Sequence, residues 1–131
     1  MKSVLKIFLV LIISLFTVGC GNSNSDTDTN IVNVEKISTS EVKEIIDNNN
    51  EDYIIVDVRE EYEYNEGHLP NAVNIPLGNI NSINYEKEKI IIVYCRSGSR
   101  SSEAASKLKN MGYTVKDMGG IIDWNYEIKK G

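Results

Sequence analysis

Residues 90–94 read Ile90-Ile91-Ile92-Val93-Tyr94, and this run constrains the fold more than any other feature of the 131-residue chain. An unbroken apolar strand must be covered on both faces, which a parallel sheet sandwiched between helices provides. Tyr53-Ile54-Ile55-Val56 is a second run of the same kind. Helix-like segments alternate with such strands, so the expected fold is α/β, a small layered domain with a mainly parallel central sheet flanked by helices. Residues 89–94, the most hydrophobic strand, belong at its centre.

Other elements can be placed around these two strands. Residues 31–37 alternate weakly and suit a short edge strand. Ser38 and Glu41 have capping-box spacing, and Val42, Ile45 and Ile46 follow at helical intervals until Asn48-Asn49-Asn50 ends the helix. Asp57-Val58-Arg59 closes the second strand, and residues 60–66 suit a short acidic helix with a solvated face. Gly67-His68-Leu69-Pro70-Asn71 forms a turn into a third strand, residues 72–75, which Pro76 stops. Residues 77–88 suit one short helical piece. A helix over residues 101–111 places Ala104, Ala105 and Leu108 on one face, with Gly112 as its C′ residue. Tyr113-Thr114-Val115 is the last strand, and Gly119-Gly120 opens a closing segment that contains Ile121, Ile122 and Trp124.

The first twenty residues read as an export signal rather than part of the fold. Lys2 and Lys6 precede an apolar core at residues 7–18, shorter than the about 20 residues of a membrane span. Thr17-Val18-Gly19-Cys20 is similar to the lipobox of bacterial lipoproteins, with Thr17 in place of the usual Leu, and makes Cys20 the expected lipidation site. An ordinary secretory signal or an uncleaved anchor is the alternative. Residues 21–30, polar and without periodicity, suit a flexible tether, which leaves residues 31–131 for one small domain. The expected location is therefore extracytoplasmic, lipid-anchored to a bacterial membrane. Without Lys2 and Lys6, 12 Lys and Arg face 19 Asp and Glu, a net charge of −7. This balance, with no basic patch, excludes nucleic acid as a partner and leaves membrane attachment to the lipid. One Cys and one His in the domain cannot make a metal site, and no cofactor is implied.

The chemistry-bearing segment is the loop Cys95-Arg96-Ser97-Gly98-Ser99-Arg100, delivered by the central strand and followed by a helix. With Cys20 acylated, Cys95 has no disulfide partner in an exported protein, so it is either useful or buried and inert. Loop amides, a helix N-terminus and two arginines would hold it as a thiolate beside an anion. Arg96 and Arg100 would steer an anionic donor. Ser97 and Ser99 either donate hydrogen bonds or are merely small, and Gly98 eases the curl. Cysteine-dependent phosphatases use a Cys-x5-Arg loop. The Cys-x4-Arg spacing here makes a narrower bowl, suited to a single sulfur atom, and contains no Asp to protonate an alcohol leaving group.

The ordered landmarks are Ile54-Ile55-Val56-Asp57-Val58-Arg59-Glu60, Gly67-His68-Leu69-Pro70-Asn71-Ala72-Val73-Asn74-Ile75-Pro76, the six-residue cysteine loop, and Gly119-Gly120-Ile121 through Trp124. Together they resemble a single rhodanese domain of the sulfurtransferase family over nearly all of residues 34–128. The resemblance implies that Cys95 takes a sulfane sulfur as a persulfide from a small-molecule donor such as thiosulfate or a polysulfide. It then passes that sulfur to a thiol, an acceptor protein or cyanide. Some thiosulfate-using relatives carry an extra arginine just after the strand-end Asp-x-Arg, where this chain reads Glu60-Glu61-Tyr62-Glu63-Tyr64. Two rival readings are a non-enzymatic persulfide carrier or binding module, and a phosphatase or arsenate reductase using the same thiolate. Asp57 and Arg59 are read as supporting residues, a buried ion pair or loop ties rather than substrate contacts. His68 is read as a structural imidazole. Trp124 and Ile121 are read as core closure that could also wall the pocket.

Overall fold

The computed structural model of the protein describes residues 32–131. The expected signal sequence, Cys20, the tether and Ile31 lie outside the described residues. Five strands, β1 (Glu35–Lys36), β2 (Tyr53–Asp57), β3 (Val73–Asn74), β4 (Ile90–Cys95) and β5 (Thr114–Gly120), form one sheet in the order β1-β5-β4-β2-β3. Every paired neighbour runs parallel. The α-helices are α1 (Thr39–Asp47), α2 (Glu61–Glu66) and α3 (Ser99–Asn110), with short 3₁₀ helices at Leu77–Ser82 and Ile121–Asp123. The α/β expectation holds, with β4 in the centre.

The period of two along β4 explains the layering. Ile91, Val93 and Cys95 pack in a cluster with Ala104, Ala105 and Leu108 of α3. Ile92 and Tyr94 join a second cluster with Val42 of α1, Leu69 and Trp124. Full burial of each large aliphatic side chain contributes roughly 1.5–3 kcal/mol, so β4 anchors both layers. α1 starts where its sequence says. The Ser38 hydroxyl accepts the Glu41 amide at 3.2 Å, and the Glu41 carboxylate accepts the Ser38 amide at 2.9 Å.

Three elements differ from expectation by more than one residue at an end. The edge strand shrinks to Glu35–Lys36. α3 begins at Ser99 rather than at residue 101, with Gly98 as its N-cap, so the last two residues of the cysteine loop are already helix. β5 continues past residue 115 to Gly120, pairing Gly119 with Tyr94 and Gly120 with Cys95. A register shift opposite Val93 and Tyr94 leaves Met118 as an extra residue, a β-bulge beside the site. The Asp117 carboxylate pins this bulge by accepting the Gly119 amide at 2.9 Å.

Candidate active site

Cys95 is the last residue of β4, at the carboxyl edge of a parallel sheet, where helix N-termini converge on a ligand. It is 1% exposed and shares a face with core residues, yet its sulfur is not left in hydrocarbon. The Gly98 amide donates to Sγ at 3.0 Å. Burial pushes the thiol pKa up. The amides of Ser101, Gly98 and Ser97, together with the Ser101 hydroxyl, outweigh burial and hold it below its ordinary value. The loop curls this way because Gly98 adopts φ +112°, the left-handed region that a side chain resists.

The loop sits tightly on β5. A Cβ on Gly120 would lie 2.5 Å from the Arg96 carbonyl oxygen and 2.9 Å from Ser97 Cα, so only glycine allows the approach. The Ile122 amide donates to that same Arg96 carbonyl at 3.3 Å. Thus Gly119-Gly120-Ile121-Ile122, expected to be a closing segment, forms the floor on which the loop rests.

Sequence reasoning did not single out Ser101. It is fully buried, and its hydroxyl lies 3.1 Å from the Gly98 carbonyl oxygen and 3.4 Å from that of Gly119. The signal was present, since Ser101, Ala104, Ala105 and Leu108 follow the i, i+3, i+4, i+7 spacing of one buried helix face.

The two loop arginines have different surroundings. Arg96 is exposed and lines a cleft together with Tyr62, Glu63, Glu66, Ile121 and Ile122. Arg100 instead donates both terminal nitrogens to Glu63, at 2.7 and 2.9 Å. This corrects the reading of the acidic helix as a solvated face. Glu63 turns inward, and its carboxylate also accepts the Glu60 amide at 3.0 Å. Arg100 holds the Glu63 carboxyl at about 2, with the Glu60 amide adding to the effect against burial. Ser97 and Ser99 are both exposed.

Asp57 and Arg59 form the buried pair expected of them. Arg59 donates through Nη2 to Asp57 Oδ2 at 2.6 Å and to the Gly67 carbonyl at 2.7 Å, while the Arg59 amide donates to Asp57 Oδ1 at 2.9 Å. Burial works against the guanidinium, but Asp57 outweighs it and raises the Arg59 pKa. His68 is buried with Nδ1 2.9 Å from the Tyr64 carbonyl oxygen, and its ring stacks on Tyr64 at 3.7 Å. Trp124 is buried in the second core cluster and donates Nε1–H to the Glu127 carbonyl at 3.0 Å. Ile121, by contrast, lines the cleft as well as packing against the core.

The family model of the Rhodanese-like domain matches residues 38–127. The chain is 39% identical over 99 residues to YtwF of Bacillus subtilis (strain 168), provisionally named a sulfurtransferase. That match covers 73% of this chain and 95% of the relative. It is 28% identical over 120 residues to the thiosulfate:glutathione sulfurtransferase of Saccharomyces cerevisiae, covering 79% of this chain and 86% of that one. The crystal structure of a rhodanese-like domain protein from Staphylococcus aureus superposes with a TM-score of 0.63 at 31% identity, covering 75% of this chain and 99% of that one.

Proposed function

Because the chain belongs to the Rhodanese-like domain family, we propose that it is a rhodanese-type sulfurtransferase working through a persulfide on Cys95. The observation that carries this reading is the Gly98 amide aimed at Cys95 Sγ from 3.0 Å, in a loop that also turns the Ser97 and Ser101 amides toward the sulfur. Such a bowl stabilises negative charge at one atom. The Cys95 thiolate attacks the outer sulfur of a donor such as thiosulfate or a polysulfide. The Sγ–S bond forms as the donor's own bond to that sulfur breaks, and the bonding pair leaves with sulfite or the shortened polysulfide. The terminal sulfur of Cys95–S–S⁻ then occupies the place where the amides converge. A thiol or cyanide attacks it, the Sγ–S bond breaks, and the thiolate returns. The dipoles that lower the Cys95 pKa favour the thiolate directly, so this reading assigns no general base, in keeping with the structural setting of His68.

The test is the intact mass of the protein after incubation with thiosulfate or a polysulfide. The expected result is a gain of one sulfur atom, removed by cyanide and absent in Cys95→Ala. An unchanged wild-type mass with both donors would overturn the reading.

We also propose that lipid on Cys20 tethers the domain outside the bacterial cell membrane. This rests on the sequence pattern that ends in Thr17-Val18-Gly19-Cys20. Cys20→Ser is expected to move the protein from the membrane to the soluble fraction on cell fractionation. Retention in the membrane would contradict it.

A further inference from the structure

One buried carboxylate near the site takes no part in the sulfur chemistry. Asp117 is 1% exposed, on a stretch of β5 whose other buried side chains, Val115 and Met118, are apolar. Its Oδ2 accepts Lys36 Nζ of β1 at 2.8 Å, from a lysine side chain that is itself largely exposed. Its Oδ1 accepts the Gly119 amide at 2.9 Å. Taking a carboxylate out of water is costly, and replacing such a group by hydrocarbon often leaves stability unharmed. The bond to Gly119 is what a hydrocarbon could not make.

That bond sits where the register changes. Val93 pairs with Asp117, and regular continuation would set Met118 opposite Tyr94 and Gly119 opposite Cys95. Instead Gly119 pairs with Tyr94 and Gly120 with Cys95. A slip of one residue moves every following position to the other face of a strand, so the bulge decides which residue lies under the cysteine loop. Gly120 has to lie there, because any Cβ would strike the Arg96 carbonyl and Ser97 Cα. Gly119, at φ +92°, then brings its Cα to 3.7 Å from where a Gly98 Cβ would stand. Its carbonyl oxygen lies 3.4 Å from the Ser101 hydroxyl. Gly98 and Ser101 both supply donors to the Cys95 sulfur.

Resting on the Cys95 sulfur-transfer reading, we infer that Asp117 is a positioning residue for that reaction. Its carboxylate locks the β5 bulge, and the bulge sets Gly119 and Gly120 under the loop so that the Gly98 and Ser101 donors stay on Sγ. Asp117 touches no reacting atom. It acts through one backbone amide, so its acceptor oxygen matters to the sulfur and its negative charge does not.

The experiment measures the pH midpoint of iodoacetamide alkylation at Cys95, with Cys20→Ser in every chain, for otherwise wild-type protein, Asp117→Ala, Asp117→Asn and Val42→Ala. The charged groups around the loop, Arg96, Arg100 of α3 and its partner Glu63 of α2, are the same in all four. Asp117→Ala should raise the midpoint by about one pH unit, the size of one hydrogen bond to the sulfur lost. Asp117→Asn keeps an oxygen for the Gly119 amide and should stay close to wild type. Val42→Ala opens a cavity in the layer across the sheet, and should lower the urea midpoint without moving the alkylation midpoint. An unmoved or lowered alkylation midpoint in folded Asp117→Ala, or an equal rise in Asp117→Asn or Val42→Ala, overturns the positioning role and leaves the Cys95 reading intact. Failure of the wild type to gain sulfur in the mass measurement removes both. Should Asp117→Ala not fold, Asp117→Leu fills the space without an acceptor and should give the same rise, and a wild-type midpoint there overturns the proposal.

Discussion

Cys95→Ala is expected to lower sulfur-transfer turnover, followed as thiocyanate formed from cyanide, by at least roughly 10³-fold while the domain stays folded. The large loss follows from the chemistry. Without a sulfur at the end of β4 nothing can hold the transferred atom between the two half-reactions, and a direct encounter of donor and acceptor lacks the covalent intermediate. The modest structural cost follows from the packing. Alanine removes one buried atom and leaves the Gly98 amide without its acceptor, worth about 1–2 kcal/mol together. The wild-type control separates an enzyme from a carrier, since a catalyst turns over many equivalents whereas a carrier stops after one. Turnover that survives in a folded Cys95→Ala protein would show that the sulfur passes elsewhere.

Arg59→Ala should cost about 3–5 kcal/mol of folding stability, the largest loss expected from any single change beside the site. The cause is less the contacts Arg59 makes than the charge it leaves behind. Asp57 is fully buried and its carboxylate receives the Arg59 side chain, so alanine strands a buried anion beside Tyr94. It also frees the Gly67 carbonyl that ties α2 to the following turn. The fall should be read in the urea midpoint at neutral pH, and Arg59→Lys should recover only part of it because one ammonium cannot replace the forked contacts. A change below about 1 kcal/mol for the alanine variant would mean that the pair is solvated and carries little.

The same Asp57–Arg59 pair illustrates what a sequence makes legible. A strand-end Asp-x-Arg closing an apolar run reads as a tied corner because both partners lie within three residues. The capping box at Ser38 and Glu41 is legible for the same reason, as are the two central strands, whose unbroken apolar character already implies cover on both faces. The cysteine loop follows from small residues and charges between a strand and a helix.

What escaped notice depends on contacts distant in sequence. Glu63 sits in a helix with no apolar stripe, and nothing local distinguishes it from Glu60, Glu61 or Glu66. Only its meeting with Arg100, 37 residues on, gives it a role. α3 starts two residues before the expected Ser101, since the first turn of a helix needs only free amides and Ser99 and Arg100 carry no apolar pattern to mark it. β5 runs past its expected end at Val115 through residues 116–118 to two glycines, which weaken strands in general, yet here the approach of the cysteine loop demands Gly120.

The central claim is that peptide and hydroxyl dipoles, outweighing the burial that opposes them, hold the Cys95 thiol below its ordinary pKa and so favour the thiolate. It is tested most directly by the rate of iodoacetamide alkylation of Cys95 against pH, in the Cys20→Ser chain where no other cysteine remains. The account predicts a midpoint clearly below the ~8.5 of a free thiol. A midpoint at or above that value would contradict it.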